Sequence, residues 1–181
     1  SGSGGFSDIS DSTVADAAEM LRLLGVVDGT GGGAFNPGGT LSRAEFCKMT
    51  VEIMGRGAEE PAQRNRTIFT DVGPTYWARG YVNLASSITI GGTAGENGGT
   101  TVGDGTFRPN QAITYGEAVT ILMRVLGYGS ADVATGSNWY DGYVAVAQSS
   151  GLADGLSLGA AATLTRGQAA ILFYNLLFTE P

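Results

Sequence analysis

The sequence predicts an all-α protein built from three helix-loop-helix repeats, and two observations lead to this prediction. A short phrase typical of a helix start occurs three times in the 181 residues. Between these phrases, apolar residues recur at the spacing of amphipathic helices. Because three helical hairpins that each expose an apolar face should bury those faces against one another, we expect a pseudo-threefold arrangement of the repeats.

Each helix start has the sequence of a capping box, with Ser or Thr three positions before Glu or Gln. In such a box the hydroxyl oxygen accepts from the third helical amide, and the Glu or Gln side chain accepts from the amide of the capping residue. The aliphatic residue before each cap is placed to pack on the fourth helical position. The expected capping residues are Ser42, Glu45, Thr114, Glu117, Thr165 and Gln168.

The first repeat spans 6–55, after five residues (1–5) whose composition is that of a linker or an added segment. A helix is expected from Thr13 to Leu24, followed by a glycine-rich turn and the first capped helix. Residues 1–5 do not have the features of a signal peptide, and this says nothing about secretion. Residues 56–68 are expected to form a polar connector to the next repeat.

The second repeat spans 69–127 and the third spans 133–178, with a connector of small residues at 128–138. The loop between the two helices of the second repeat is longer than that of the first, and we expect it to cover or widen a groove. The third repeat lacks the Phe-x-Pro element of the other two and ends in a strongly apolar helix that begins at Arg166.

Composition argues against several classes of function. The net charge is −7 and the chain contains no run of Lys or Arg, so we expect no nucleic acid partner, which would need a basic face. The absence of histidine removes the commonest general base and the commonest metal ligand. No apolar stretch approaches about eighteen residues, so no membrane span is expected.

Sequence motifs for catalysis or for cofactor binding are incomplete. The glycine-rich turn at 29–33 lacks the Lys-Ser/Thr ending of a phosphate loop. The stretches that begin at Asp28 and Asp104 lack calcium ligands at the third, fifth and twelfth loop positions. The single cysteine, Cys47, lies on the apolar pattern of a helix, so we expect a buried structural thiol. We therefore expect no enzyme activity, no metal site and no cofactor.

Two arginines, Arg43 and Arg166, stand at the first helical position of a capped start. The helix dipole disfavours a cation there by about 0.3–1 kcal/mol. Free amides at a helix N-terminus attract anions, and a guanidinium can hold a carboxylate or phosphate with two parallel hydrogen bonds. The pattern therefore favours an anion site. An Arg folded back onto a carboxylate such as Glu45, or merely solvated, is the alternative.

Further motifs accompany the capping phrases between Phe6 and Phe178. They are the Phe-x-Asp openings at 6–9 and 69–72, Trp77-Ala78, the Gly-x-x-x-Gly turns at 25–29 and 151–155, and the Phe-x-Pro elements at 35–37 and 107–109. In this order the motifs resemble those of S-layer homology domains, three of which in tandem commonly anchor surface proteins to the bacterial cell wall. The combined order is far more specific than any single motif.

The resemblance implies a three-pronged spindle whose grooves bind secondary cell-wall polymer, often carrying pyruvylated amino sugars. It implies a secreted protein at the bacterial cell surface, with an anionic wall polysaccharide or peptidoglycan-linked polymer as partner, and other surface-layer proteins as further candidates. In such proteins the Arg of the capping phrase is a main ligand, which here means Arg43 and Arg166. The other residues expected to contribute are Trp77, Trp139, Asp8, Asp71, Asp141, Gly29, Gly92 and Gly155.

Alternatives stay open for several of these residues. A Trp at a helix start is as consistent with core packing, and each Asp is as consistent with helix capping. Tyr115 stands where the second repeat should have Arg, and the third repeat lacks a clear Phe-x-Asp opening, so we expect one or two working grooves. Tyr115 also favours the alternative function, a structural or protein-interaction module with reduced glycan binding.

Overall fold

The computed structural model describes residues 6–27, 33–89, 92–99 and 103–181. Within these ranges the regular structure is helical, with isolated bridges between extended residues, and this confirms the all-α prediction. The linker-like residues 1–5 lie outside the described ranges. The helices are α1 (Ser12–Leu23), α2 (Arg43–Ile53), α3 (Glu60–Gln63), α4 (Arg79–Ile88), α5 (Tyr115–Val125), α6 (Asp141–Ser149) and α7 (Arg166–Leu176).

Capping boxes are formed at the starts of α2, α5 and α7. Ser42 Oγ accepts from Glu45 N at 3.0 Å, and Glu45 Oε1 accepts from Ser42 N at 2.9 Å. The same reciprocal bonds join Thr114 to Glu117 and Thr165 to Gln168. Each cap satisfies amides that an isolated helix leaves without a partner, and is typically worth about 1 kcal/mol.

The long helices pack across the boundaries between repeats. Helix α1 packs on α7, α2 on α4, and α5 on α6. Each pair therefore joins the second helix of one repeat to the first helix of another. Packing between repeats agrees with the expectation that the repeats bury their apolar faces against one another. It arises because the residues that precede each capped helix pair with a different repeat.

This pairing connects the starts of α2, α5 and α7 in a cyclic order. The first two amides of α2 donate to carbonyls before α5, those of α5 to carbonyls before α7, and those of α7 to carbonyls before α2. The overall pseudo-threefold spindle stays a prediction. The bonds are Arg43 N to Gln111 O (2.9 Å), Ala44 N to Pro109 O (3.0 Å), Tyr115 N to Ala162 O (2.9 Å), Gly116 N to Ala160 O (2.9 Å), Arg166 N to Gly39 O (2.7 Å) and Gly167 N to Pro37 O (2.9 Å).

The connector expected at 56–68 contains more structure than its polar sequence indicated. It includes a 3-10 turn at Gly57–Glu59 and the short helix α3, which packs on α4. Glu60 is buried, and its carboxylate accepts from Arg64 Nε at 2.8 Å and from Arg64 Nη2 at 2.7 Å. A four-residue helix is too short to show a hydrophobic period, which is why the sequence pattern did not indicate it.

Two apolar clusters hold the helices together, and α2 contributes to both. In the larger cluster the rings of Phe46 and Phe173 lie 4.8 Å apart, which joins α2 to α7. In the smaller cluster Phe69 and Phe107 lie 5.1 Å apart beside the buried Cys47. Helix α2 is therefore packed from both sides.

Candidate functional site

A cavity of about 180 Å³ brings together residues of all three repeats. Its charged groups are Arg166 from the start of α7, and Lys48 and Glu45 from α2. Two cations therefore lie together in a chain whose net charge is −7. The other lining residues are Val26, Val27, Leu41, Met49 and Trp77.

The guanidinium of Arg166 is held from one side. Arg166 Nε donates to Phe35 O at 2.8 Å, and the guanidinium carbon lies 4.9 Å from the centre of the Phe35 ring. Among the residues that the structure describes, no group accepts a hydrogen bond from its two terminal nitrogens. Burial lowers the pKa of Arg166 while Glu45 and Asp8 raise it, and a guanidinium stays charged at ordinary pH. Within the described ranges these two nitrogens thus have no acceptor, and a guanidinium is chemically suited to hold a carboxylate with two parallel bonds.

Lys48 and Trp77 complete the cavity wall. Lys48 was not expected from the sequence, although it follows Glu45 by three positions and so lies on the same face of α2. Its ammonium lies 5.7 Å from the centre of the Tyr81 ring. Trp77 is 53% exposed, so its indole offers apolar surface to a ligand instead of filling the core.

Arg43 occupies the matching position at the start of α2, but its surroundings differ. Its Nε donates to Phe107 O at 3.0 Å and its guanidinium carbon lies 4.6 Å from the centre of the Phe107 ring, as in the Arg166–Phe35 pair. The side chain is 1% exposed, with Nη2 donating to Ala94 O at 2.7 Å and Nη1 lying 3.2 Å from Glu117 Oε2. Burial lowers the pKa of Arg43, and Glu117 raises it. The ligand role of Arg43 stays a prediction.

The aspartates of the two Phe-x-Asp openings hold the Phe-x-Pro elements. The carboxylate of Asp8 accepts from Phe35 N at 2.7 Å and from Asn36 N at 2.6 Å, and the carboxylate of Asp71 accepts from Phe107 N and Arg108 N, both at 2.8 Å. The bond from Phe35 N is the main cause that lowers the pKa of Asp8. These bonds fix the phenyl rings and carbonyls that contact the two arginines.

The turn that each aspartate holds contains a residue with positive φ. Asn36 has a φ of 60° and Arg108 has a φ of 60°, a conformation that Asn tolerates better than most residues. Asp141 has a different position, since its Oδ2 accepts from Asn138 N at 2.9 Å just before α6. Asp8 and Asp71 thus position the arginine contacts, while Asp141 belongs to a helix start.

The remaining residues expected at the site are dispersed. Trp139 is 41% exposed and lines a separate cavity beside Tyr143. Gly92 accepts from Arg124 Nη1 at 3.2 Å, and Gly155 has a φ of +86° after α6. Gly29 lies outside the described residues, as does the stretch beginning at Asp28. Trp139, Gly92 and Gly155 do not line the Arg166 cavity.

The free helix amides expected to attract an anion are not available. The first two amides of α2, α5 and α7 donate to carbonyls of another repeat, and the third donates to the capping hydroxyl. That part of the anion-site hypothesis is wrong, because cyclic pairing between repeats uses these donors. The first amides of these helices are therefore not available to an anion at this cavity.

The described part of the chain contains no group of three or more Cys, Asp or Glu side chains placed to hold a metal ion. No helix in the described ranges is long and apolar enough to cross a membrane.

Comparison with known proteins identifies relatives over most of the chain. A family model described as S-layer homology domain matches residues 5–47 and 100–119. A "Cell surface protein" of Thermoanaerobacter kivui is 30% identical over 92% of this chain and 20% of its own length. A "Surface layer protein" of Brevibacillus choshinensis is 38% identical over 65% of this chain and 10% of its own length. "Exoglucanase XynX" of Acetivibrio thermocellus is 29% identical over 95% of this chain and 16% of its own length.

Proposed function

The chain belongs to the S-layer homology domain family, and from this premise we propose that it is a non-catalytic module that anchors a larger protein to the bacterial cell surface. Its partner is an anionic wall polysaccharide, with a pyruvylated amino sugar as the favoured unit. The chain spans only a tenth to a fifth of the relatives described above. Activities named for those whole proteins, such as exoglucanase, are assigned here to segments outside the matched region.

The observation that carries the proposal is the cavity in which Arg166 and Lys48 converge beside Trp77. A pyruvyl ketal presents a carboxylate on a sugar ring, and the terminal nitrogens of Arg166 match a carboxylate with two parallel bonds. The ammonium of Lys48 adds a second positive charge. Because the whole chain is negative, this local pair of cations is what makes an acidic ligand favourable at this place.

The exposed indole of Trp77 supplies the second part of the recognition. Sugar rings have apolar faces that pack on aromatic side chains, and Trp offers a large apolar surface of this kind. Glu45 lines the same cavity and is held by its capping bond to Ser42 N. Its second carboxylate oxygen can accept from a sugar hydroxyl. Two cations, an indole and a carboxylate together distinguish an acidic sugar from a simple anion such as phosphate.

The three helix starts differ in charge, which favours one working groove. Arg166 is the first residue of α7, and the equivalent first residues are Arg43 in α2 and the buried Tyr115 in α5. Five residues after each start, α2 has Lys48, whereas α5 has Thr120 and α7 has Ile171. Only the groove formed by α7 and α2 combines an Arg with a Lys. We propose that the repeats are 6–55, 69–127 and 133–178, and that this groove is the principal glycan site.

The test is calorimetric titration with purified acidic wall polysaccharide and with the same polymer stripped of its pyruvyl groups. We expect binding to the acidic polymer only, weakened about a hundredfold by Arg166→Ala because two charge-assisted bonds are lost. Arg166→Lys should restore a part of the affinity. Arg56→Ala, which removes an exposed cation paired with Glu59, serves as the charge-matched control. Equal binding of both polymers, or an unchanged affinity in Arg166→Ala, would reject the proposal.

A second candidate function is a module for protein–protein assembly, and one observation favours it. Large apolar side chains are exposed at the C-terminal ends of α1 and α7, namely Leu23, Leu24, Leu177 and Phe178. Exposed apolar patches often mark protein interfaces. Self-association in size-exclusion experiments that disappears in a Leu24→Asp/Phe178→Asp variant, together with failure to bind either polymer, would favour this function over glycan binding.

A further inference from the structure

We infer that the groove at Arg43 contains an internal occupant: the backbone carbonyl of Ala94 in the loop 93–97 and the carboxylate of Glu117 take the places that ligand oxygens would take at Arg166. This inference rests on the proposed function, because it defines the occupant by comparison with the proposed glycan groove. It goes further, since it makes the Arg43 groove a second binding site that is closed in the free protein.

The two arginines share one geometry up to the point where their surroundings diverge. Each donates from Nε to the carbonyl of a phenylalanine and stacks over the ring of that residue, Phe107 for Arg43 and Phe35 for Arg166. Each phenylalanine is held by an aspartate of the Phe-x-Asp opening. The difference therefore lies at the terminal nitrogens, which are the ligand-facing atoms of a guanidinium.

At Arg43 these nitrogens face oxygen atoms of the second repeat. Nη2 donates to Ala94 O at 2.7 Å, and Nη1 lies 3.2 Å from Glu117 Oε2. Among the described residues Nη1 has no hydrogen bond of normal geometry, so its contact with Glu117 is an ion pair only. A carbonyl and a carboxylate are the groups that an acidic sugar would present. The charge of the guanidinium is thus compensated by groups of the same chain, and one nitrogen, Nη1, has no hydrogen bond of normal geometry within the described ranges.

The loop is fitted closely against this guanidinium. Thr93 and Ala94 are buried, and a Cβ atom on Gly95 would lie 2.7 Å from Arg43 Nη1 and would also collide with Glu117. Inside the loop Thr93 N donates to Glu96 Oε1 at 2.9 Å. The loop is joined to the rest of the chain by bonds to Glu96 from Ser86 Oγ, to Asn97 Oδ1 from Gly105 N, to Gly95 O from Arg108 Nη2, and from Asn97 N to Thr106 O. None of these bonds is made by Arg43, whose own hydrogen bond to the loop is the one to Ala94 O.

A side chain added at Gly95 would collide with Arg43 and Glu117, so a substitution there tests whether the loop can be displaced. Gly95 has a φ of +69° and Gly55 has a φ of +72°, but nothing lies within 4 Å of a Cβ built on Gly55. Gly95→Val therefore combines backbone strain with a collision against Arg43 and Glu117. Gly55→Val carries the same strain without the collision, and it is the matched control.

Two readouts test the inference, one of which does not depend on glycan. The first is the stoichiometry of binding of the methyl glycoside of a pyruvylated N-acetylhexosamine, a single sugar that occupies one groove. We expect one equivalent for the wild type and Gly55→Val, two for Gly95→Val, and one again for Gly95→Val/Arg43→Met. The second is phenylglyoxal labelling followed by peptide mass spectrometry. Arg43 should be protected in the wild type and Gly55→Val, and labelled in Gly95→Val.

The outcomes separate this inference from the proposed function. Wild-type Arg43 labelled as fast as Arg166, or a Gly95→Val protein that exposes Arg43 yet still binds one equivalent, would overturn the inference. The wild-type labelling decides this even where Gly95→Val does not fold. A third outcome is that no protein binds the sugar, while Arg43 is protected in the wild type and labelled in Gly95→Val. The proposed function is then rejected, and the internal occupancy of the Arg43 groove stands.

Discussion

Arg43 and Glu117 form an ion pair of 3.2 Å that joins the first repeat to the second, with their side chains 1% and 10% exposed. Each partner also has a second task. Arg43 stacks on Phe107, and Glu117 closes the capping box of α5. This pair therefore links the start of one capped helix to the start of another. Four predictions follow from this pair and from the groups around it.

Arg43→Ala should lower the free energy of unfolding by about 3–5 kcal/mol, because it leaves the Glu117 carboxylate buried without its partner. The double variant Arg43→Met/Glu117→Gln should lose less of the free energy of unfolding, since it removes both charges while keeping the side-chain volumes similar. Arg56→Ala, at an exposed pair, should change stability far less, because solvent screens that pair. Urea denaturation measures all three. A double variant as unstable as Arg43→Ala would show that packing, and not charge, dominates here.

Lys48→Ala should weaken binding of the acidic polysaccharide about tenfold, the equivalent of about 1.4 kcal/mol. The ammonium lines the Arg166 cavity, and its attraction for a carboxylate should diminish as salt is added. Calorimetry at low and high salt measures both effects. Arg56→Ala makes the same change in net charge outside the cavity. Equal losses in the two variants would mean that only overall charge matters.

Asp8→Asn should lower the melting temperature by about 3–6 °C at neutral pH, because an amide cannot accept two backbone bonds as a carboxylate does. The pKa of Asp8 is lowered from 3.8 by its bond from Phe35 N. The stability from this carboxylate is therefore present above pH 3.8 and is lost as the pH falls through the lowered pKa. Thermal unfolding from neutral to acidic pH measures the difference between the two proteins.

The difference between wild type and Asp8→Asn should consequently disappear at strongly acidic pH. Asp16→Asn, which changes an exposed carboxyl on α1, should show a small effect at every pH. A difference for Asp8→Asn that persists undiminished below the lowered pKa would contradict a role for its charge.

Cys47 should not react with thiol reagents in the folded protein at mildly alkaline pH. The side chain is buried in α2, and this burial raises its pKa from 9.0 to about 12. The shift lowers the thiolate fraction about a thousandfold, and burial blocks access as well. Absorbance with a disulfide reagent measures the rate, with denatured protein as the positive control. Rapid reaction of the native thiol would mean that α2 opens locally.

The sequence revealed those features that depend on neighbouring residues. Ser42 and Glu45 are three positions apart, so the capping box was visible without a structure, and the period of apolar residues marked the long helices. The short helix α3 was missed because four residues show no period. Lys48 was not predicted as a site residue because it lines the cavity together with Arg166 and Trp77. These two residues lie far from it in the chain and are brought to it by packing.

By itself, then, the sequence determined that three capped helices exist, that the chain is all-α and acidic, and which residues are chemically suited to an anion. The tertiary structure alone decided how each of them is surrounded. Arg43 and Arg166 have the same local sequence setting, but Ala94 and Glu117 contact the guanidinium of the first, while the second lines a cavity. The physical reason is that capping is a local interaction, whereas exposure and charge compensation depend on residues distant in sequence.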